Sequence, residues 1–237
     1  MQIKWFEELD STNEELLRHI WAYDNLSVVA ALRQTAGRGQ RGNRWLSADG
    51  ENLTFSILLR PAALPATEFM ALTYLATLSV KDWLCRQGVS AVIKWPNDIY
   101  VGRRKICGML VENRLSGDSI AASVIGIGLN LNQTAFPGEL VNAVSLKQLT
   151  GRDYPLKETL EELLTGFDFP ALETPAGREG LWKSYQDGLF QQGQECPYRN
   201  LITGEEFKGK IKGATREGRL LMEDGKTFSF KEIGYII

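Results

Sequence analysis

The chain has 237 residues, 43% of them hydrophobic and 24% charged, with a formal net charge of −2. That is room for one large domain, alone or with a small companion, and the slight acidity counts against nucleic acid as the main partner. No segment reaches the ~18 uninterrupted apolar residues of a membrane span. The N-terminus MQIKWFEELDSTNEE has no apolar signal core, so no membrane or secretory route is expected. Three scattered cysteines without C-x-x-C and a single histidine, His19, fit reduced thiols in a cytoplasm. They exclude a multi-histidine metal site and a choice among histidine bases.

In chain order, IKWFEEL (3–9) reads as a strand entering DSTNEELLRHIW, where Ser11 or Thr12 caps a helix and Glu14 or Glu15 closes a capping box. LSVVAALRQ (26–34) has strand length, and so does ENLTFSILLRP (51–61), which stops at Pro61. From Pro65 to Arg86 the spacing of Phe69, Leu72, Ala76, Val80 and Trp83 predicts a helix with one buried stripe, ended by Gly88. VSAVIKW, IYV, KICGMLVEN and SIAASVIGIGLNLN follow as strands joined by short turns, an antiparallel meander. LKETLEELLTGF (156–167) and REGLWKSYQDGL (178–189) are two further helices. After about residue 191 short β-rich runs are broken by T-G, K-G, R-E-G and E-D-G, and Asp-Gly between strands signals a hairpin. This part reads as a five-strand barrel of SH3-like size. The class is α+β, with a catalytic unit over 1–190 and a small domain over 191–237.

Four stretches could carry chemistry. QTAGRGQRGNRW (34–45) sets Gly37, Gly39 and Gly42 among Arg38, Arg41 and Arg44. Glycines bring backbone N–H groups close to a ligand, and guanidinium forks suit carboxylate or phosphate oxygens. It is neither a Walker loop nor G-x-G-x-x-G opening a helix, so it reads as an anion-binding loop between strands, against a plain solvated loop. KWPNDIYVGRRKICG (94–108) places Asn97 and Asp98 at a turn beside Lys94, Arg103, Arg104 and Lys105; taken alone it reads as an ordinary structural turn, with a functional site as the alternative. Gly108 within a strand points to close approach of a ligand or another backbone. DSTN (10–13) reads as a helix cap that can also bond a polar ring. GIGLNLN (126–132) reads as a core strand with Asn130 as its notable polar residue, while His19 reads as structural and Trp45 and Trp95 as packing.

In this order, S-T-N, Q-T-x-G-R-G-x-R-G-x-x-W, K-W-P-N-D, R-K-x-x-G and G-I-G-x-N resemble the biotin–protein ligases, over essentially the whole chain. The resemblance implies a mixed, largely antiparallel sheet with helices on one side, of the class II aminoacyl-tRNA synthetase/biotin ligase type, followed by an SH3-like domain. It implies ATP and Mg2+ as cofactors, biotin as substrate and a biotin carboxyl carrier protein as partner, in a monomer or homodimer. Ser11, Thr12, Asn13 and Gln34 would line the biotin pocket, with Gly37, Arg38, Gly39 and Gln40 closing over biotin and adenylate. Lys105 would hold the biotin carboxylate and α-phosphate, and Gly108 would border the pocket. Asn97, Asp98 and Asn130 would lie near the nucleotide and its magnesium, whose ligands stay open, with Arg41 a further cation. Many relatives have arginine where this chain has Gln40, leaving one cation fewer at the adenylate. The chain starts at the catalytic strand, so no DNA-binding domain and no DNA partner is expected.

Biotin's carboxylate is already a nucleophile, so attack on the α-phosphorus needs no base but does need cations, with Arg38, Lys105 and Arg41 as candidates. Asp98 would steer or deprotonate the acceptor lysine. The mixed anhydride needs a lid, and on this reading the loop's arginines make its ordering conditional on an anionic ligand. The rivals are a lipoate or octanoate ligase of the same superfamily, a nucleic-acid-binding module, and a biotin-binding regulator without catalysis.

Overall fold

The computed structural model describes residues 1–236; the side chain of Arg41, expected at the nucleotide, lies outside the described part. Strand Ile3–Leu9 (β1) leads into helix Thr12–Arg18 (α1), then Val28–Gln34 (β2) and Leu53–Leu59 (β3). After a 3-10 turn at Ala66–Glu68 comes helix Met70–Arg86 (α2). The meander follows as Ala91–Lys94 (β4), Asp98–Val101 (β5), Arg104–Ser116 (β6) and Ser119–Leu129 (β7). Helices Leu146–Thr150 (α3), Leu156–Leu164 (α4) and Pro175–Asp187 (α5) complete this part. Seven strands form one sheet in the order β1-β2-β3-β7-β6-β5-β4, with β1 and β2 parallel and the remaining pairs antiparallel.

The alternation of strand side chains decides what each face carries. Val28, Ala30, Phe55, Ile57, Ile125 and Ile127 face α2 in the main core. Val29, Leu58, Ala122 and Val124 point the other way and pack on Leu16 and Ile20 around α1. The long helices thus share one side, and the short α1 takes the opposite one. The expected single stripe on α2 is too narrow a description, since Met70 to Val80 is buried without interruption. The sheet covers one side of this helix, and α5 with the C-terminal strands covers another. Tyr74 Oη, for instance, donates to Thr215 O at 3.2 Å.

From Glu195 on, Glu195–Asn200 (β8), Glu206–Ala214 (β9), Leu220–Met222 (β10), Thr227–Phe228 (β11) and Ile233–Tyr235 (β12) form a second, antiparallel five-stranded sheet. The E-D-G hairpin lies between β10 and β11, with Gly225 at φ +86°. The side chains of Tyr198, Ile211, Leu220 and Phe228 join the same core as the large sheet. No described helix is long and apolar enough to cross a membrane.

Candidate active site

Two rows of residues across the sheet make the floor of a cavity. In the first, Ser56 pairs with Gly126 and Gly126 with Leu110; in the second, Thr54 pairs with Gly128, Gly128 with Gly108, and Gly108 with Asp98. Each row has a glycine where a side chain would otherwise stand, and each gap is filled from outside the sheet. A Cβ on Gly126 would collide with the Asn13 amide, and one on Gly128 with the Trp45 indole. The gap at Gly108 is narrow, with Lys105 Nζ at 3.0 Å and the Trp45 ring at 3.1 Å from a hypothetical Cβ.

Over the first row lies the start of α1. Thr12 N–H donates to Gln34 Oε1 at 2.8 Å and its hydroxyl meets Ser56 Oγ at 2.7 Å. Ser56 Oγ donates to Asn13 Oδ1 at 2.5 Å, and Asn13 Nδ2 to Glu112 Oε2 at 2.9 Å. The expected capping box is therefore absent. Ser11 is the N-cap by backbone geometry with no side-chain cap bond. Thr12 spends its groups on the floor, while Glu14 and Glu15 turn outward to Arg38 and Tyr23.

Beyond the second row, a register shift between Ile99 and Tyr100 breaks the alternation of β6. Ile106 and Cys107 both stay in the core, and Lys105 faces the cavity with its Nζ 2.7 Å from Asp98 Oδ1. The W-P-N turn before Asp98 is held at every residue. Trp95 Nε1 donates to Gly218 O at 3.0 Å, Tyr185 Oη to Pro96 O at 2.8 Å, and Asn97 Nδ2 to Met109 O. Lys94 Nζ lies 5.2 Å from the Tyr100 ring centre and 4.7 Å from that of Tyr235, and burial lowers its pKa. A Tyr185→Phe change orphans the Pro96 carbonyl, and about 1 kcal/mol of stability is expected to go, a Tm fall of roughly 2–4 °C by calorimetry.

The loop after β2 is the roof. Gly39 N–H donates to Asn43 O at 2.8 Å and Trp45 N–H to Gly37 O at 3.0 Å, around one 3-10 turn at Gln40–Gly42. Arg38, Gly39, Gln40, Asn43, Arg44 and Trp45 all line the cavity. It measures about 140 Å³, below the roughly 300 Å³ at which small-molecule pockets ordinarily begin, because the loop lies across it. Among the described residues, Arg38, Arg44, Lys94 and Lys105 line it with Asp98, and Glu14 and Glu112 pair with Arg38, which leaves a small positive balance that suits an anionic ligand.

Residues 5–130, more than half of the chain, match the biotin/lipoate A/B protein ligase family. The chain belongs to that family. It is 34% identical over 207 residues to the bifunctional ligase/repressor BirA of Bacillus subtilis, a match covering 83% of this chain and 61% of that protein. The chain thus spans less than two thirds of that relative's length. With the biotin–[acetyl-CoA-carboxylase] ligase of Paracoccus denitrificans it shares 34% identity over 167 residues, 67% of this chain and 68% of that one. The structure of the biotin protein ligase from Aquifex aeolicus in complex with biotin and ATP matches with a TM-score of 0.78 at 30% identity, over 98% of this chain and 97% of that one. A mixed α+β ligase fold is common to both.

Within this ligase-family fold, Ser11, Thr12, Asn13, Gln34, Arg38, Gly39, Gln40, Asn97, Asp98, Lys105 and Gly108 come together around one cavity. Gly37 lines the neighbouring hollow beyond Trp45. Asn130 does not line the cavity among the described residues; it is buried, donating its side-chain amide to Val144 O at 3.1 Å and so fixing the segment before α3. Arg38 has anionic partners within the protein, its guanidinium bonding Glu112 and Glu14. Trp45 does pack, as read from the sequence, but what it packs on is the cavity floor, and its Nε1 is buried without a partner among the described residues. Trp95, 5% exposed, packs in the main core and also lines this cavity. Sequence reasoning passed over Ser56, Glu112, Gly126 and Gly128. The available signal was the G-I-G pair, two glycines on one face of a strand.

Proposed function

We propose that the chain activates biotin with ATP as biotinyl-5′-AMP and transfers the biotinyl group to a lysine of a biotin carboxyl carrier protein. The observation that carries this reading is Lys105 paired to Asp98 between a polar floor and a cationic roof. An ammonium has three donors. Asp98 takes one, leaving two for the biotin carboxylate and the α-phosphate oxygen, so the same cation draws nucleophile and electrophile together. Thr12, Asn13 and Gln34 present the amide and hydroxyl groups that suit the ureido ring, and the apolar Trp45 face covers the reacting atoms against water. In the second step the acceptor amine attacks the acyl carbon, an amide C–N bond forms, the C–O bond to AMP breaks, and the amine loses a proton. Asp98 would accept that proton or hold the incoming ammonium.

No cluster of three or more metal-ligating side chains occurs among the described residues. One carboxylate, Asp98, with Asn97 beside it, fits magnesium held mainly by nucleotide phosphates, where it would offset phosphate charge. We further propose that this activity is cytoplasmic, with residues 1–190 as the catalytic unit and 191–237 as a small domain packed on the same core, whose Gly218 holds Trp95 of the W-P-N turn and whose Tyr235 ring faces Lys94.

The test is ATP–pyrophosphate exchange with different acids, followed by transfer of labelled biotin to a carrier domain. Biotin is expected to support exchange at least a hundredfold better than lipoate or octanoate. Equal or reversed preference would move the chain to the lipoate branch of its family.

A further inference from the structure

Gly108, Leu110 and Glu112 alternate along β6 and share its cavity face. Gly108 and Leu110 border the cavity, and Glu112 stands at its rim, its side chain 24% exposed. Two separate parts of the site converge on this carboxylate. Asn13 Nδ2, whose residue is 3% exposed, donates to Oε2 at 2.9 Å. Arg38 approaches as a fork, Nη2 to Oε1 at 2.9 Å and Nη1 to Oε2 at 3.2 Å, and its Nη1 also bonds Glu14. One unbroken chain of hydrogen bonds therefore runs Gln34–Thr12–Ser56–Asn13–Glu112–Arg38, from the pocket floor to the roof.

We propose that Glu112 is a positioning residue that latches the glycine–arginine loop over the cavity, and that it does so through its charge on Arg38 while its hydrogen bond keeps Asn13 in place. This rests on the biotin-activating reading only for what the loop protects; the latch itself is a property of the protein alone. A paired fork is geometrically demanding and stronger than a single contact, and Glu112 supplies it where Glu14 supplies one bond. The loop must lift to admit a ligand into so narrow a cavity. Glu112 therefore sets how often it lifts, and hence how long a labile acyl-phosphate stays sheltered.

The two roles separate by substitution. Glu112→Gln keeps an acceptor for Asn13 and removes the charge; Glu112→Ala removes both. Trypsin cleaves after arginine, so nicking at residues 38–44 of the protein without substrates reads the latch directly. Nicking is expected to rise at least tenfold in Glu112→Gln and about threefold in Glu14→Gln. With biotin and magnesium–ATP, Glu112→Gln is expected to release adenylate to water about tenfold faster while the biotin KM changes less than threefold; in Glu112→Ala the KM rises tenfold or more as well. Nicking of Glu112→Gln within twofold of the native protein overturns the proposal, as does a biotin KM raised equally in both Glu112 variants. If the chain does not use biotin at all, the nicking comparison still decides the latch.

Discussion

Replacement of Lys105 by alanine is expected to lower biotin-dependent ATP–pyrophosphate exchange by roughly a thousandfold, the upper end of what removing one preorganised donor to developing charge costs. Two of the other described cations at the cavity are already engaged. Lys94 lies between the Tyr100 and Tyr235 rings, and Arg38 is bound to Glu112 and Glu14. The variant also leaves Asp98 unpaired in the cavity, adding a negative charge where the proposed reaction brings two anions together. Stability should barely move, because the Lys105–Asp98 pair is partly exposed, at 30% and 22%, and such pairs contribute about 0–1 kcal/mol. Arginine is expected to rescue poorly. Its fork needs room that the Trp45 ring and the strand at Gly108 do not leave. Exchange within tenfold of the native rate in Lys105→Ala would remove the central cation from the mechanism.

Where one local rule dominates, the sequence could be read. β1, β2 and β3 lie within two residues of their expected bounds, since apolar runs between turn residues have little alternative. The meander and the hairpin at Gly225 follow from turn chemistry. α5 begins three residues earlier than expected, at Pro175, because Thr174 caps it by accepting from Gly177 N–H at 3.1 Å. α3 went unread although Ser145 and Gln148 form a true capping box there, since five residues make too short a period to see.

The site divides in the same way. The arginine loop stood out by residue type, whereas Lys105 and Asp98 stood out only through the family resemblance. What could not be read was pairing. Nothing in the separate strings STN, LVEN and GRG says that Asn13, Glu112 and Arg38 meet. That meeting depends on the register that sets Ser56, Gly126 and Leu110 in one row. Arg38 shows this for the loop: its partner carboxylates come from α1 and β6, far away in sequence.

Gly128→Ala is expected to lower the overall rate of carrier biotinylation at least a hundredfold while lowering Tm by less than about 4 °C, a loss of about 1 kcal/mol in a chain of this size. The added methyl would enter the six-membered part of the Trp45 indole. The strand cannot retreat, because Gly128 is paired to Thr54 on one side and Gly108 on the other. The ring must leave instead, and with it goes the end of the roof that Trp45 anchors through its N–H to Gly37 O. Trp45 also stands between the main cavity and the hollow lined by Gln34, Gly37, Phe136 and Pro137, so its departure would merge the two and admit water to the proposed anhydride. Gly102→Ala is the control. Gly102 turns the β5–β6 hairpin at φ +60° with open space around it, so alanine there strains the backbone and touches nothing in the cavity. It should cost stability without cost in rate, the reverse pattern. A cycle with Trp45→Ala closes the case: if Gly128 matters only by admitting the ring, the double variant is no slower than Trp45→Ala alone. Additive losses would mean that Gly128 serves the site by some route other than the indole.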